Sequence, residues 1–491
     1  MFVRLRIGIV IGSLLFATTS SRALDGYLRA ASSAPTAITL CGEDGNQIKT
    51  AVCKEKGYDL LVAAIDRAFD GALARTPANV RPLLKRDEAW FNEMILQAAG
   101  TVEEVDDDEL RESFLTTLRL RAVALEGIAA GFGRSGLAGK WSNAFGSVIL
   151  TPDGDDAWHL AIDMRVDYGS NRRRQCQLST AVTRSGGWLN GKIASTMTRP
   201  AKPPEVKLRR QGETLRVVIT ERDEMTGDRE DCDYLWQITG TYFANGNAET
   251  TDKADTSFVA PTFDCTRPET ATDEEICADP DLAQNDQRLN RAWKALLPRL
   301  DDATRRALTE DQRNWVHAQA VEFPEFLHPA WDKRNSEMHA TADARAHVDG
   351  LQRERIALLE GFDDKRTGLA GVWLAYNAII KITVDKDGRL KAKGWKWDQG
   401  DWKAGCDYDM SGKAVSGVFH SDEQRKNPDT LERDHAMLIV NRLDDVFSKS
   451  RSGKDSADEA KCRRRLDSSS TARLFPARDS PDIDNFSGSI R

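Results

Sequence analysis

The chain has 491 residues, of which 30% are charged and 40% hydrophobic, and its formal net charge is −8. Since this length exceeds one ordinary hydrophobic core, we expect two to four domains. The acidic balance argues against a nucleic-acid-binding protein, which needs a basic surface to neutralise phosphates. Beyond residue 20, no apolar run is long enough for a membrane-spanning helix.

The first 23 residues have the features of an export signal. Arg4 and Arg6 give a basic start, residues 7–17 form a short apolar core, and Ser21-Arg22-Ala23 offers small residues to a signal peptidase. The apolar core is too short to cross a bilayer, which makes an uncleaved anchor the weaker interpretation. Cleavage removes three arginines and takes the net charge from −8 to −11. We therefore predict a periplasmic or secreted protein.

The cysteines show a repeated spacing. They are Cys41, Cys53, Cys176, Cys232, Cys265, Cys277, Cys406 and Cys462. Separations of 12 and then 56 residues occur twice in that order. An even number of cysteines in an exported chain is typical of a disulfide framework. The simplest pairing joins the two cysteines that bound each of these intervals: Cys41–Cys53, Cys176–Cys232, Cys265–Cys277 and Cys406–Cys462.

Other motifs recur at nearly the same offset. The segment Gly-Leu-Ala-Gly-Lys-Trp at 136–141 matches Gly-Leu-Ala-Gly-Val-Trp at 368–373, and Leu-Glu-Gly occurs at 125–127 and again at 359–361. Trp90 similarly matches Trp315, and both are expected to be core residues. The chain is therefore interpreted as a tandem repeat of one module.

Each module begins with helical periodicity and ends with short β-type runs. In the second module Leu282, Leu289 and Leu296 fall on one helical face after the start signal Asp279-Pro280, whereas residues 379–384 form a β-type run. We predict an α+β fold, a tandem duplication of a three-helix disulfide-stapled unit followed by a small antiparallel β barrel or sandwich.

Composition and motifs together set the predicted domain boundaries. They are a signal peptide at 1–23, helical unit 1 at 35–130, β unit 1 at 135–245, a polar linker at 246–262, helical unit 2 at 263–361, β unit 2 at 367–476 and a disordered tail at 477–491.

The start of the second module resembles a known family. Phe263-Asp264-Cys265 is followed by Ile-Cys-Ala-Asp-Pro-Asp-Leu at 276–282, an amphipathic helix and Gln-Arg-Asn-Trp at 312–315. This combination resembles the lysozyme inhibitor LprI-like N-terminal domain family. The first module looks like a diverged copy, with Gly57-Tyr58-Asp59 in place of Asp-Pro-x-Leu. The resemblance implies an exported, disulfide-stapled helical module that in some members binds and inhibits lysozyme.

No enzyme or metal-site motif stands out in the sequence. The zinc spacings, the nucleophile elbow and the phosphate loop are all missing, so we predict no catalytic residues, cofactor or metal. Trp395 and Trp397 alternate with polar residues along one predicted strand, and Trp402 follows beyond a glycine turn. These three tryptophans are a candidate platform for a sugar or a protein, with plain packing as the alternative.

Two functions have support at this level, and a third, a hydrolase, has no motif in the sequence. The first is a non-enzymatic exported envelope protein that binds another protein, in its sharpest form a basic lysozyme-like cell-wall hydrolase, toward which an acidic surface would steer. The second is a periplasmic ligand-binding or structural module whose β units hold a small ligand.

Overall fold

The structure of the chain is a computed structural model. It describes residues 57–104, 108–165, 175–193, 204–220, 238–247, 258–327, 341–398, 401–422, 430–441 and 471–486.

The helices of the described residues lie in two groups. The first group contains α1 (Tyr58–Arg75), α2 (Arg81–Glu104) and α3 (Asp108–Gly131). The second contains α4 (Ala271–Ala278), α5 (Pro280–Leu296), a 3₁₀ turn (Leu297–Arg299), α6 (Asp302–Leu327) and α7 (Thr341–Glu360). A short helix α8 (Pro481–Phe486) packs against α7, and its Ile483 is buried.

The strands form two closed antiparallel barrels of eight strands each. Barrel 1 contains β1 (Gly139–Asn143), β2 (Gly146–Pro152), β3 (Ala157–Arg165), β4 (Gln175–Ser185), β5 (Trp188–Lys192), β6 (Glu205–Gln211), β7 (Thr214–Thr220) and β8 (Gly240–Asn245). Barrel 2 contains β9 (Gly371–Ala375), β10 (Ala378–Val384), β11 (Leu390–Asp398), β12 (Asp401–Val415), β13 (Val418–Ser421), β14 (Thr430–Asp434), β15 (Met437–Asn441) and β16 (Thr471–Ala477). In each barrel the last strand pairs with the first.

The fold class predicted from the sequence is wrong. Two closed eight-stranded barrels dominate the chain, and the helices do not form a separate three-helix unit in front of each one. The second group has an additional helix, because Pro280 cannot continue α4 and instead begins α5. The sandwich alternative fails because β1 hydrogen-bonds to β8 and β9 to β16.

The two helical groups also share one hydrophobic core. Ile276, Leu282 and Val348 from the second group lie in the same buried cluster as Tyr58 and Phe114 from the first. A small helical unit buries little apolar surface alone, so joining the groups increases the burial available to both. The linear repeat in the sequence therefore does not produce two independent modules.

The interior of each barrel is filled by side chains. Barrel 1 encloses a buried apolar cluster that includes Trp141, Val148 and Leu208, and barrel 2 encloses one that includes Trp373 and Phe419. An eight-stranded barrel is just wide enough for side chains to fill it. These packed interiors give no support to the alternative function in which the β units hold a small ligand.

The repeated Gly-Leu-Ala-Gly motif leads into the first strand of each barrel. Gly139 and Gly371 have φ angles of 104° and 124°, in the left-handed region that favours glycine. Two residues later, the indole N–H groups of Trp141 and Trp373 donate to the backbone carbonyl four residues earlier, at 2.8 and 2.7 Å. The motif is conserved between the halves because the barrel start needs both features.

Candidate partner-binding site

The second helical group begins with a disulfide. Cys265 and Cys277 are bonded, with their Cα atoms 5.9 Å apart, which confirms this predicted pair. A closed loop of this size stabilises the fold by about 3 kcal/mol in the chain-entropy model. Cys41, Cys53, Cys232 and Cys462 lie outside the described residues, as do the side chains of Cys176 and Cys406, so the other three pairs stay predictions.

Residues 264–270, here called the stapled loop, are ordered at both ends by hydrogen bonds. At the first end the Asp264 carboxylate accepts from the backbone N–H and the hydroxyl of Thr266, both at 2.9 Å. These bonds lower the pKa of Asp264, since they favour its charged form. The side chains of Asp264, Arg267 and Glu269 are exposed.

At the second end a capping box begins α4. The Thr270 hydroxyl accepts from the Asp273 N–H at 3.1 Å, and the Asp273 carboxylate accepts from the Thr270 and Glu269 N–H groups at 3.0 and 3.1 Å. Burial nevertheless raises the pKa of Asp273, against the effect of these hydrogen bonds. The disulfide and the capping box together leave the loop little conformational freedom.

Asp279, the aspartate of the Asp-Pro-x-Leu pattern, is the N-cap of α5. Its carboxylate accepts from the Asp281 and Leu282 N–H groups at 2.8 and 3.2 Å, and Pro280 occupies the first helical position. The side chain of Asp279 is fully buried and also pairs with Arg216 on β7. The motif therefore has two tasks, starting a helix and contacting barrel 1.

Further polar contacts attach barrel 1 to this end of α5. Arg209 on β6 pairs with Asp281 at 2.6 Å. The guanidinium groups of Arg209 and Arg216 each lie 5.8 Å from the ring centroid of Trp188 on β5, within cation–π range. The Gln211 amide donates to the carbonyl of Cys277 at 3.4 Å. Barrel 1 thus covers the disulfide end of the second helical group.

The first helical group contributes a buried ion-pair cluster to the same interface. Arg86 of α2 pairs with Glu274 at 3.3 Å and with Glu275, both on α4. The side chains of Arg86 and Glu275 are 2% and 0% exposed, and Arg86 also lies over the ring of Trp90, 5.0 Å from its centroid. Removing one partner of such a cluster leaves an uncompensated buried charge, which is strongly destabilising.

Helices α6 and α7 contact barrel 2 through another buried cluster. Arg355 of α7 pairs with Asp311 of α6 at 2.6 Å, and the other oxygen of Asp311 accepts from the Tyr376 N–H at the β9–β10 turn, at 2.9 Å. Burial raises the pKa of Asp311, and Arg355 opposes that shift. Trp315 lies beside Arg355 and is buried, as the sequence predicted.

The first half contains an equivalent cluster. Asp87 of α2 pairs with Arg121 of α3 at 2.9 Å and accepts from the Ala144 N–H at the β1–β2 turn, at 2.8 Å. Burial likewise raises the pKa of Asp87, with Arg121 lowering it. The same device therefore connects helices to a barrel in both halves.

These contacts cover two regions of the second helical group, while the outer faces of α5 and α6 stay exposed, for example at Lys294 and Arg313. Barrel 1 and α2 cover the end formed by α4 and the start of α5, and barrel 2 covers α6 and α7 near Asp311. The stapled loop lies outside both interfaces, and its exposed side chains include the acidic Asp264 and Glu269. It is therefore the candidate partner-binding site.

The structure places the three predicted platform tryptophans at one end of a hairpin. Trp395 and Trp397 lie on β11 and Trp402 at the start of β12, but their side chains lie outside the described residues. Trp395 is in register with Ile379, which is buried beneath the helices. The platform remains a prediction.

The residues that position the site were not found by sequence reasoning. Arg86, Arg209 and Arg216 meet acidic partners far along the chain, and nothing in their local sequence distinguishes them from solvated surface arginines. Of the residues in these pairs, only Asp279 was marked by its local sequence, because Asp279-Pro280 is a helix-start pattern.

In the described part of the chain, no three or more histidine, cysteine or acidic side chains form a cluster suited to a metal ion. Within the same ranges, each helix is too short or too polar to cross a membrane.

Comparison with known families gives one match. The family model described as Lysozyme inhibitor LprI matches residues 265–356. No curated protein and no solved structure matches the chain. The match begins at the first cysteine of the disulfide and ends within α7, so a first copy in residues 35–130 stays a prediction. Residues 265–356, which span most of the second helical group, are therefore similar to the lysozyme inhibitor LprI family.

Proposed function

We propose that this protein is an exported, non-enzymatic inhibitor that binds a basic lysozyme-like cell-wall hydrolase in the periplasm or outside the cell. The family match over residues 265–356 carries the proposal, because that family is one of exported lysozyme inhibitors. The export signal predicted for residues 1–23 and the disulfide between Cys265 and Cys277 support an oxidising compartment.

The stapled loop is the proposed contact. The disulfide, the capping box and the hydrogen bonds to Asp264 hold it in one conformation, so it would lose little conformational entropy on binding. Asp264 and Glu269 present two exposed carboxylates beside a single cation, Arg267. Such a loop complements a basic surface in charge as well as in rigidity.

The charge of the whole chain supports the same partner. The net charge of −8, or −11 once three arginines leave with the signal segment, would accelerate encounter with a basic enzyme. Exposed charges are screened by salt, so the association rate should fall as ionic strength rises.

The direct test is a titration of oxidised protein, beginning at residue 24, into a basic c-type lysozyme that is clearing a cell-wall suspension. Stoichiometric inhibition is the expected result. The double variant Asp264→Asn, Glu269→Gln should raise the inhibition constant by about tenfold or more, since two charge contacts are lost.

The matched control removes two exposed acids elsewhere, Glu126→Gln on α3 and Asp155→Asn in the β2–β3 turn of barrel 1. It should change the inhibition constant by about twofold or less, because only the net charge changes. Failure to inhibit would contradict the proposed function. Equal losses in both variants would contradict the role of the stapled loop.

A further inference from the structure

The outer face of barrel 2 carries a group of lysines on β10, β11 and β12 that has no counterpart at the matching positions of barrel 1. The two barrels can be compared position by position, because Trp141 pairs with Val148 in the first and Trp373 pairs with Ile380 in the second. Both barrels have the same strand order, so every outward position on β10–β12 has a defined counterpart on β2–β4.

At four outward positions barrel 2 has a lysine where barrel 1 has a residue other than lysine or arginine. Lys381, Lys391, Lys393 and Lys413, here called the lysine face, occupy the positions held in barrel 1 by Ile149, His159, Ala161 and Thr183. Since barrel 1 closes with four residues that are not lysine or arginine at these positions, the fold does not require the lysines.

The lysine face is open to solvent and lies on the wall of the barrel. Lys391, Lys393 and Lys413 are exposed, whereas Lys381 is half-buried and pairs with Asp479 at 3.1 Å. Lys381 and Lys393 stand directly opposite each other on β10 and β11. Like charges in that position destabilise a sheet, and Asp479 beside Lys381 and Asp409 opposite Lys393 offset part of that cost.

The neighbours of the lysines are hydroxyl groups, two carboxylates and an imidazole: Asp479 pairs with Lys381, and His420 stands opposite Lys413. Thr383 and Ser411 flank Lys391 in the same row across β10, β11 and β12, and both are exposed. Asp409 stands opposite Lys393 in the next row. Hydroxyl and ammonium groups at strand spacing can hydrogen-bond and pair with a chain of sugars that bear regularly spaced anions.

Insertion into a membrane interface needs an amphipathic surface with a substantial apolar side, and the lysine face has polar neighbours instead. We propose that the outer face of β10–β12 in barrel 2 binds an anionic polysaccharide. This site is separate from the stapled loop and does not depend on the proposed inhibitor function.

The test is binding of the oxidised chain to polygalacturonate, with neutral dextran as the uncharged comparison, measured by affinity electrophoresis over a range of salt. The variant Lys391→His, Lys393→Ala, Lys413→Thr introduces the residues that barrel 1 has at these positions. It should weaken polygalacturonate binding about tenfold or more and reduce the salt dependence, because fewer counterions are exchanged.

The matched control removes three exposed cations from the helices, Lys294→Gln, Arg306→Gln and Arg313→Gln. It should retain polygalacturonate binding within about threefold, since only non-local charge is lost. The proposal is overturned if the wild-type chain does not bind polygalacturonate, or if both triple variants lose binding equally. Binding to phosphatidylglycerol vesicles in place of polygalacturonate would also overturn it. Lysozyme inhibition should be unchanged in the lysine-face variant, which separates this site from the stapled loop.

Discussion

The two barrels share one strand order but contact the second helical group in different ways. Barrel 1 contacts it through charged groups, with Arg209 and Arg216 against Asp281 and Asp279. Barrel 2 contacts it mainly through apolar side chains, in a cluster that joins helices α5, α6 and α7 to the outer face of its strands. We therefore expect the apolar interface with barrel 2 to contribute mainly to stability, and the charged interface with barrel 1 mainly to the orientation of the domain.

This difference explains how a stapled loop can stay exposed on a well-packed domain. The apolar interface with barrel 2 buries Leu308, Leu358 and Phe475, which stabilises the domain by removing apolar surface from water. The polar interface with barrel 1 fixes the start of α5 and the end of the disulfide loop. Because charged pairs need defined geometry, we expect this second contact to influence the direction in which the loop projects.

The largest expected effect is on the domain in isolation. Residues 258–361 produced alone would expose the apolar faces that the first helical group and barrel 2 cover, and would leave Glu275 and Asp279 without Arg86 and Arg216. We expect no cooperative thermal unfolding transition for this fragment, in contrast to the full chain. A sharp transition in calorimetry would show that the barrels are not needed.

Arg86→Ala should give the next largest effect. The substitution leaves the buried Glu275 without its cation, which costs about 3–5 kcal/mol in the free energy of unfolding. Urea denaturation would measure the loss. The triple variant Arg86→Met, Glu274→Gln, Glu275→Gln removes the charges together and should recover part of it, whereas no recovery would argue against an electrostatic origin.

Phe475→Ala tests the apolar interface. The phenylalanine lies on β16 and is fully buried against the helices. Its truncation should lower the free energy of unfolding by about 3–5 kcal/mol, through lost burial and a cavity. Val384→Ala, at an exposed position on β10, is the control and should change the free energy of unfolding by about 0.5 kcal/mol or less.

Arg209→Ala should have the smallest effect on stability. Its pair with Asp281 is partly exposed, so the free energy of unfolding should fall by only about 0.2–1 kcal/mol. If the pair orients the stapled loop, the inhibition constant should nevertheless rise more than this stability loss implies. Parallel measurements of urea unfolding and lysozyme inhibition would separate the two effects.

Local patterns in the sequence identified much of the candidate site. The spacing of Cys265 and Cys277 predicted their disulfide, and Asp279-Pro280 predicted the start of a helix. Each of these features depends on residues a few positions apart, which is the range over which propensity and capping act.

The arrangement of the elements could not be obtained in the same way. Arg86 meets Glu275 and Arg216 meets Asp279 across long stretches of chain, and the shared core of the two helical groups joins Phe114 to Leu282. A repeat in the sequence favours a model of separate modules. It contains no information about whether their apolar faces pack within a module or between modules.

Hydrogen exchange of the oxidised chain, with and without a basic c-type lysozyme, tests the central claim most directly. Bound enzyme should protect backbone amides in and beside the stapled loop, residues 262–275, and leave β10–β12 of barrel 2 unchanged. Protection confined to the barrels, or an exchange pattern unaffected by saturating lysozyme, would contradict the account.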